Sequence, residues 1–203
     1  KGNKLNLCYV LEMDKDMREI FGSIAGGAAY KFGLFFHKKT QSWTCGSPAK
    51  PVKLTENEAI QKAEEIRNDL VAGAEIISSF GPLDSEEDYK QLYIQLEHIP
   101  GINMVWRMKY YQMLFPTLFA PFYGQDIQLR VLHFLNQKPS DIPFIRMGQI
   151  SLYARKCNVP GVVFAHIYGK NVGYTNDTDD SDTNTLSDKK HKTHYWMYTV
   201  FDD

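Results

Sequence analysis

Residues 54–77 read LTENEAIQKAEEIRNDLVAGAEII and carry the clearest structural signal in the chain. Thr55 followed three residues later by Glu58 is a capping box, in which each side chain bonds the other residue's backbone N–H. Apolar residues then recur at helical spacing, at Ala59, Ile60, Ala63, Ile66, Leu70 and Ile77. The pattern predicts a long helix whose opposite face, with Glu64, Glu65 and Asp69, is solvated.

The residues before this helix predict a β-hairpin. Residues 30–37 (YKFGLFFH) are rich in aromatic side chains, and residues 38–42 turn the chain back into a second strand over residues 42–45. Gly46, Pro48 and Pro51 are expected to end that strand. Alternation along the first strand places Phe32 and Phe36 on one face and Phe35 on the other.

The residues after the long helix predict further helices. An acidic helix follows Asp84, with a stripe of Tyr89, Leu92, Tyr93 and Leu96, and it ends at Pro100-Gly101. Four more are predicted near residues 104–115, 125–136, 146–157 and 160–168. The expected fold class is α+β, a small β-hairpin-containing sheet packed with a helical bundle. Residues 1–168 then form one domain, strand-rich over 1–53 and helical over 54–168.

The composition changes from Gly169 onward. Residues 175–192 contain five Asp, three Lys and one aliphatic residue, Leu186, so residues 169–192 are predicted to be an acidic loop or linker. Residues 193–203 are predicted to form a terminal strand. Asp177, Asp179, Ser181 and Asp188 have the spacing of a calcium loop, but Asp182 stands where the loop needs glycine, so no metal site is predicted.

Charge is strongly segregated along the chain. Residues 101–170 hold eight Lys or Arg against two Asp, residues 54–100 hold three against eleven acids, and residues 1–53 hold nine against four. Basic charge mixed with aromatic residues is typical of a surface that meets phosphates. The predicted DNA contacts are Lys31, Lys38, Lys39, Arg107, Lys109, Arg130, Arg146, Arg155 and Lys156.

Residues 150–167 have the spacing of a helix-turn-helix, with a turn at residues 158–160. A recognition helix must offer polar or basic groups to base edges, whereas residues 161–168 offer His166 and otherwise apolar groups. Core packing of Ala154, Val163, Phe164 and Ile167 is the favoured interpretation.

Enzymatic signatures are missing from the sequence. No phosphate-binding loop, nucleophile elbow or metal-ligand cluster is present, and the three cysteines match no zinc or redox spacing. The chain is therefore predicted to be non-enzymatic, with no cofactor. No apolar run reaches the roughly 20 residues of a membrane span, which favours a cytoplasmic protein with no membrane partner.

The hairpin combines aromatic residues with cations. Tyr30, Phe36 and Trp43 are candidates for a pocket that holds an extruded base, which needs aromatic walls and nearby cations for the flanking phosphates. The alternative is that these aromatic residues are core.

Several segments resemble the amino-terminal region of McrB-type, modification-dependent restriction ATPases and GTPases. They are residues 30–36 with Trp43 and Gly46, residues 54–55 and 63–67, then residues 109–111 with Phe115-Pro116 and residues 146–149. The resemblance covers most of residues 20–168. It implies a double-stranded DNA recognition module that reads a modified base by flipping, beside a motor domain or subunit of the same restriction system.

Two other interpretations of the function stay open. A protein–protein interaction domain of a larger defence or regulatory ATPase would use the same aromatic helices for a partner, with no direct DNA binding. A small enzyme is less favoured, because no acid, base and nucleophile set is visible.

Overall fold

The computed structural model describes residues 32–37, 40–47, 49–100 and 104–172. Within them a three-stranded antiparallel sheet precedes six helices, which confirms the predicted α+β class. The strands are β1 (Leu34–His37), β2 (Ser42–Ser47) and β3 (Lys50–Leu54). The helices are α1 (Glu56–Phe80), α2 (Glu86–Glu97), α3 (Met104–Leu114), α4 (Gln125–Phe134), α5 (Pro143–Lys156) and α6 (Gly161–Asn171).

The predicted hairpin is formed by β1 and β2, with Phe36 opposite Trp43. The third strand, β3, was not predicted, because Pro51 was expected to end the strand region. Pro51 pairs opposite Gly46 in a strand at the edge of the sheet. An edge strand tolerates proline because one side of its backbone makes no ladder hydrogen bonds.

The capping box predicted at Thr55 is present. The Thr55 backbone N–H donates to the Glu58 carboxylate at 2.7 Å, and the Thr55 hydroxyl accepts from the Glu58 N–H at 3.3 Å. The Thr55 N–H, together with the Thr55 hydroxyl that donates to the same carboxylate at 2.8 Å, lowers the pKa of Glu58, because both bonds favour its charged form. Helix α1 runs to Phe80 and ends at Gly81, whose φ of 100° is a conformation that favours glycine.

A second capping box starts α2. The Ser85 backbone N–H donates to the Asp88 carboxylate at 2.8 Å, and the Ser85 hydroxyl accepts from the Asp88 N–H at 3.2 Å. Of the predicted apolar stripe, Tyr89, Leu92 and Leu96 are fully buried, while Tyr93 is half-buried.

Helix α5 joins the two apolar clusters of the helical region. Phe144 and Met147 belong to a cluster shared with α1, α2 and α3, and Ile150 and Ala154 belong to one shared with α4 and α6. The helix starts at Pro143, earlier than predicted, because proline suits the first helical position.

Helix α6 continues through Gly169 to Asn171, so its end lies beyond the predicted start of the linker. The remainder of the predicted linker and the predicted terminal strand lie outside the described residues.

Helices α2 and α5 approach closely at Gly148. A Cβ atom at position 148 would overlap the ring of Tyr89, which is fully buried and donates its hydroxyl hydrogen to the Leu118 carbonyl. Burial raises the pKa of Tyr89 to about 12. The absence of a side chain at position 148 therefore lets the aromatic ring lie directly on the helix.

We expect Gly148→Ala to lower the free energy of unfolding by about 1–3 kcal/mol, because the rigid Tyr89 ring cannot move away from an added methyl group. Denaturant unfolding measures the change. Gly124→Ala is the matched control, since an added Cβ there would meet only Ile127, at 3.4 Å. Its expected cost is below about 1 kcal/mol, and equal losses in both variants would contradict the close-approach explanation.

Candidate functional site

A cleft of about 140 Å³ lies between the sheet and the start of α1. Its walls come from Leu34 on β1, Trp43 on β2, and Glu56, Ala59, Ile60 and Ala63 on α1. Ala59 and Ala63 lie on the face of α1 that lines the cleft opposite Trp43. Because their side chains are short, the space between helix and sheet stays open. The cleft is therefore apolar, with one carboxylate among its lining side chains.

Phe36 and Trp43 form an aromatic pair beside the cleft. They lie opposite each other in the β1–β2 register, and directly opposed residues project from the same face of a sheet. Their ring centroids are 5.4 Å apart and the rings meet edge to face. Phe36 is 44% exposed, so one aromatic ring of this pair is accessible from solvent.

The other hairpin aromatic residues lie elsewhere. Phe35 pairs opposite Thr44, in the row that projects from the other face, as predicted. Phe32 precedes Gly33, whose φ of 83° interrupts the strand, and its ring packs 4.8 Å from Trp106. Phe32 therefore belongs with the core and does not extend the Phe36 row.

The sequence of the sheet region carries positive charge. Residues 32–54 contain four lysines and no Asp or Glu. Lys50 and Lys53 on β3 are exposed, and alternation along the strand directs them to opposite faces. They were missed among the predicted DNA contacts because β3 itself was missed, although the absence of acidic residues across the hairpin was a usable signal.

Four of the predicted site residues, Tyr30, Lys31, Lys38 and Lys39, lie outside the described residues. For these the sequence prediction stands as made.

Three predicted DNA contacts are buried, so their prediction as surface groups was wrong. Arg107 is 4% exposed, Arg146 is 5% exposed and Lys109 is fully buried. A phosphate cannot reach a cation that is packed inside the helical region. A charge count along the sequence does not distinguish an exposed cation from one that is packed inside the protein, and these three were therefore predicted at a surface.

Arg107 bonds to the end of α2. Its guanidinium donates to the carbonyl oxygens of Leu96 at 3.0 Å and Ile99 at 2.7 Å. Carbonyls at a helix C-terminus lack intrahelical partners, and a cation there also interacts favourably with the helix dipole. Arg107 therefore stabilises the α2 terminus.

Arg146 and Lys109 are bound to polar and aromatic groups inside the bundle. Arg146 donates from Nε to Oε1 of Gln128 at 3.2 Å, and burial lowers the pKa of its guanidinium. The Lys109 ammonium lies 6.0 Å from the centre of the Tyr123 ring.

The remaining predicted cations are Arg130, Arg155 and Lys156. Arg130 and Lys156 are exposed. Arg155 is half-buried and donates to the carbonyl oxygens of Leu83 and Thr117, so its guanidinium is already engaged. Neither exposed cation lines the cleft or belongs to an element that does.

The turn between α5 and α6 has the helix-turn-helix spacing noted in the sequence. Ala154 and Phe164 are buried, as the core interpretation requires. Val163 and Ile167 are each 47% exposed, so that interpretation was wrong for these two residues.

Within the described part of the chain, no group of three or more His, Cys, Asp or Glu side chains is placed to hold a metal ion. In the same part, no helix is both long enough and apolar enough to cross a membrane. Comparison of the chain with protein-family models, with curated proteins and with solved structures finds no match. The function proposed for this chain therefore depends on the cleft and its surroundings.

We expect Arg146→Ala to lower the free energy of unfolding by about 1.5–3 kcal/mol, because it removes a charged hydrogen bond and leaves the buried Gln128 amide oxygen without that donor. Arg130→Ala, at an exposed arginine, should change it by less than about 0.5 kcal/mol. Thermal and denaturant unfolding measure both. An Arg146→Ala protein as stable as the parent would show that the guanidinium contributes nothing to the packed region.

Proposed function

We propose that this chain is a DNA-recognition module of a modification-dependent restriction system, and that the cleft beside Trp43 holds a modified base rotated out of the duplex. The observation that carries the proposal is the position of Trp43, which lines the cleft while its ring contacts the exposed ring of Phe36. An extruded base requires such an aromatic, largely apolar enclosure.

The size of the cleft favours a single ring as its occupant. A cavity of about 150 Å³ lined by apolar side chains is sufficient to bind benzene, and the cleft measures about 140 Å³. Clefts that take drug-sized ligands are several times larger, about 300–1,000 Å³. A base that enters from one side, with its sugar left outside, suits the smaller space.

The cleft and the aromatic pair beside it supply both stacking surfaces and one polar contact. Trp43 and Phe36 offer ring surfaces, and stacking on an aromatic residue contributes roughly 1–3 kcal/mol per base in single-strand complexes. The carboxylate of Glu56 is a hydrogen-bond acceptor, and carboxylates in DNA interfaces accept from exocyclic amino groups of bases.

Charge around the cleft limits the path of the sugar–phosphate backbone. Glu56 and Glu58 lie in the first turn of α1 and repel phosphates, whereas the sheet segment of residues 32–54 carries only positive formal charges. The backbone is therefore proposed to run along the β3 edge of the sheet, where Lys50 on one face and Lys53 on the other can both reach it. The predicted contacts Lys38 and Lys39 belong to the same segment by sequence.

The resemblance to McrB-type proteins supports the same assignment. In that setting a separate motor domain or subunit hydrolyses nucleotide, and this chain contributes recognition without catalysis or a cofactor. The proposed partners are modified double-stranded DNA and that motor, and the proposed location is the cytoplasm.

We expect Trp43→Ala and Phe36→Ala to weaken binding to modified duplex DNA by about tenfold or more, because Trp43 lines the proposed pocket, Phe36 lies beside it, and each offers a stacking surface. Fluorescence anisotropy with modified and unmodified duplexes of the same sequence measures the effect. Phe134→Ala is the matched control, since Phe134 is an exposed phenylalanine on α4, outside the cleft. It should bind both duplexes normally.

Thermal melting of the same variants separates a stacking role from a packing role. Removing a core aromatic residue costs about 3–5 kcal/mol of stability. If Trp43→Ala melts early and its folded fraction still distinguishes modified from unmodified DNA, the pocket assignment fails and Trp43 is a packing residue only.

We expect the double variant Lys50→Ala and Lys53→Ala to bind modified and unmodified DNA more weakly, to the same extent. Its binding should also depend less on salt. The slope of log affinity against log salt should become less negative by about 1.8, from about 0.9 for each lost phosphate contact. Lys90→Ala is the control, since Lys90 lies on α2 within 3.3 Å and 3.8 Å of the Glu86 and Glu87 carboxylates. An unchanged slope in the double variant would remove β3 from the DNA path.

A protein–protein interaction domain is the second candidate function. The observation that favours it is the burial of Arg107, Lys109 and Arg146, which leaves fewer exposed cations for phosphates than the sequence predicted. Phe36 and Ile60 would then form an exposed apolar contact surface for a partner protein. Undetectable DNA affinity at low salt, for modified and unmodified duplexes, would select this candidate.

A further inference from the structure

An apolar surface on α4 and α6 lies apart from the cleft described above. Phe134 is 57% exposed, and the exposed residues Val163 and Ile167 lie one turn apart on the same side of α6. The Phe134 ring is 5.8 Å from the ring of Tyr168, the neighbour of Ile167. We call Phe134, Val163, Ile167 and Tyr168 the α4–α6 face.

Packing within the described residues does not account for this face. Phe164 points into the second apolar cluster, where its ring stacks on Tyr168 with centroids 4.2 Å apart. Helix α6 is thus apolar on its buried side and again at Val163 and Ile167. A helix that is apolar on most of its surface is normally buried on most of its surface.

One exposed cation lies beside the face. It is Arg130, one turn before Phe134 on α4. Helix α6 contains no Asp or Glu, and α4 contains one acid, Asp126. An occupant that complements both features is apolar and carries negative charge.

Residues 173–203 of the same chain have that composition. They contain seven Asp against three Lys. Within them residues 195–201 read YWMYTVF, and Asp202 and Asp203 follow directly. Aromatic and aliphatic side chains next to carboxylates match an apolar surface that has Arg130 beside it.

The segment that links the α4–α6 face to residues 195–203 allows contact between them within one molecule. Residues 173–194 supply 22 linking residues, and a chain of that length can span any distance up to about 70 Å. Helix α6 has 11 residues and is about 16 Å long. A tether of this kind gives a local concentration in the millimolar range, so even a weak contact is populated.

We propose that residues 195–203 dock on the α4–α6 face of their own chain. Tyr195, Trp196 and the apolar residues that follow cover Phe134 and Ile167, and the carboxylates of Asp202 and Asp203 lie towards Arg130. Docking buries apolar side chains that are otherwise in water, which is the main favourable term in such contacts.

Photo-crosslinking of the full chain tests the docking. The photoreactive residue p-benzoylphenylalanine replaces Ile167 in one protein and Ile94 in a second, because Ile94 is equally exposed but lies on α2. After irradiation, peptide mass spectrometry should find position 167 joined to residues 195–203 within monomers and position 94 not joined to them. Phe134→Asp should lower the yield at position 167 several-fold, and Leu114→Asp, at an exposed residue of α3, should leave it unchanged.

Three results would overturn the proposal. One is equal capture of residues 195–203 from positions 167 and 94. Another is capture at position 167 only in covalent dimers, which would assign the face to a second copy. The third is a yield at position 167 that Phe134→Asp does not change in a protein whose melting temperature is normal.

Discussion

Carbonyl oxygens at helix ends and in the connections between helices must find hydrogen-bond donors when they are buried, and this requirement organises the helical region. Arg107 donates to the end of α2, while Arg155 links α5 to the carbonyl of Leu83. The hydroxyl of Tyr89 serves the Leu118 carbonyl in the same region. A buried carbonyl without a donor costs about 1–3 kcal/mol, so these side chains fix how the helices and their connections fit together.

These internal bonds reduce the positive charge of residues 101–170 that is available to a phosphate. Cations that bond to the protein's own carbonyls and amides are not available to phosphates, whereas the lysines of β3 remain in solvent. The surface proposed for DNA consequently moves from the helices to the sheet, where the aromatic pair of Phe36 and Trp43 is also located. The sheet is therefore proposed for recognition and the buried arginines for stability, and variants in the two parts should be separable experimentally.

Local signals in the sequence were sufficient for much of the fold and for part of the candidate site. The Thr55 and Glu58 pair located the start of α1 because capping involves neighbouring residues alone. Strand alternation placed Phe36 and Phe35 on different faces for the same reason. Strand β3 was missed because Pro51 disfavours a central strand, and only the order of strands in the sheet reveals that it lies at an edge.

The sequence by itself determined the α+β class, the hairpin, the first turns of α1 and α2 and the segregation of charge, since each depends on neighbouring residues or on composition. Only the tertiary structure decided which charged and apolar side chains are covered. Lys109 is buried and Lys50 is exposed, although both are lysines flanked by apolar residues in the sequence. The cleft beside Trp43 likewise requires Ala59 and Ala63 of another element. Burial depends on what packs from distant positions, and a pattern along one chain segment does not contain that information.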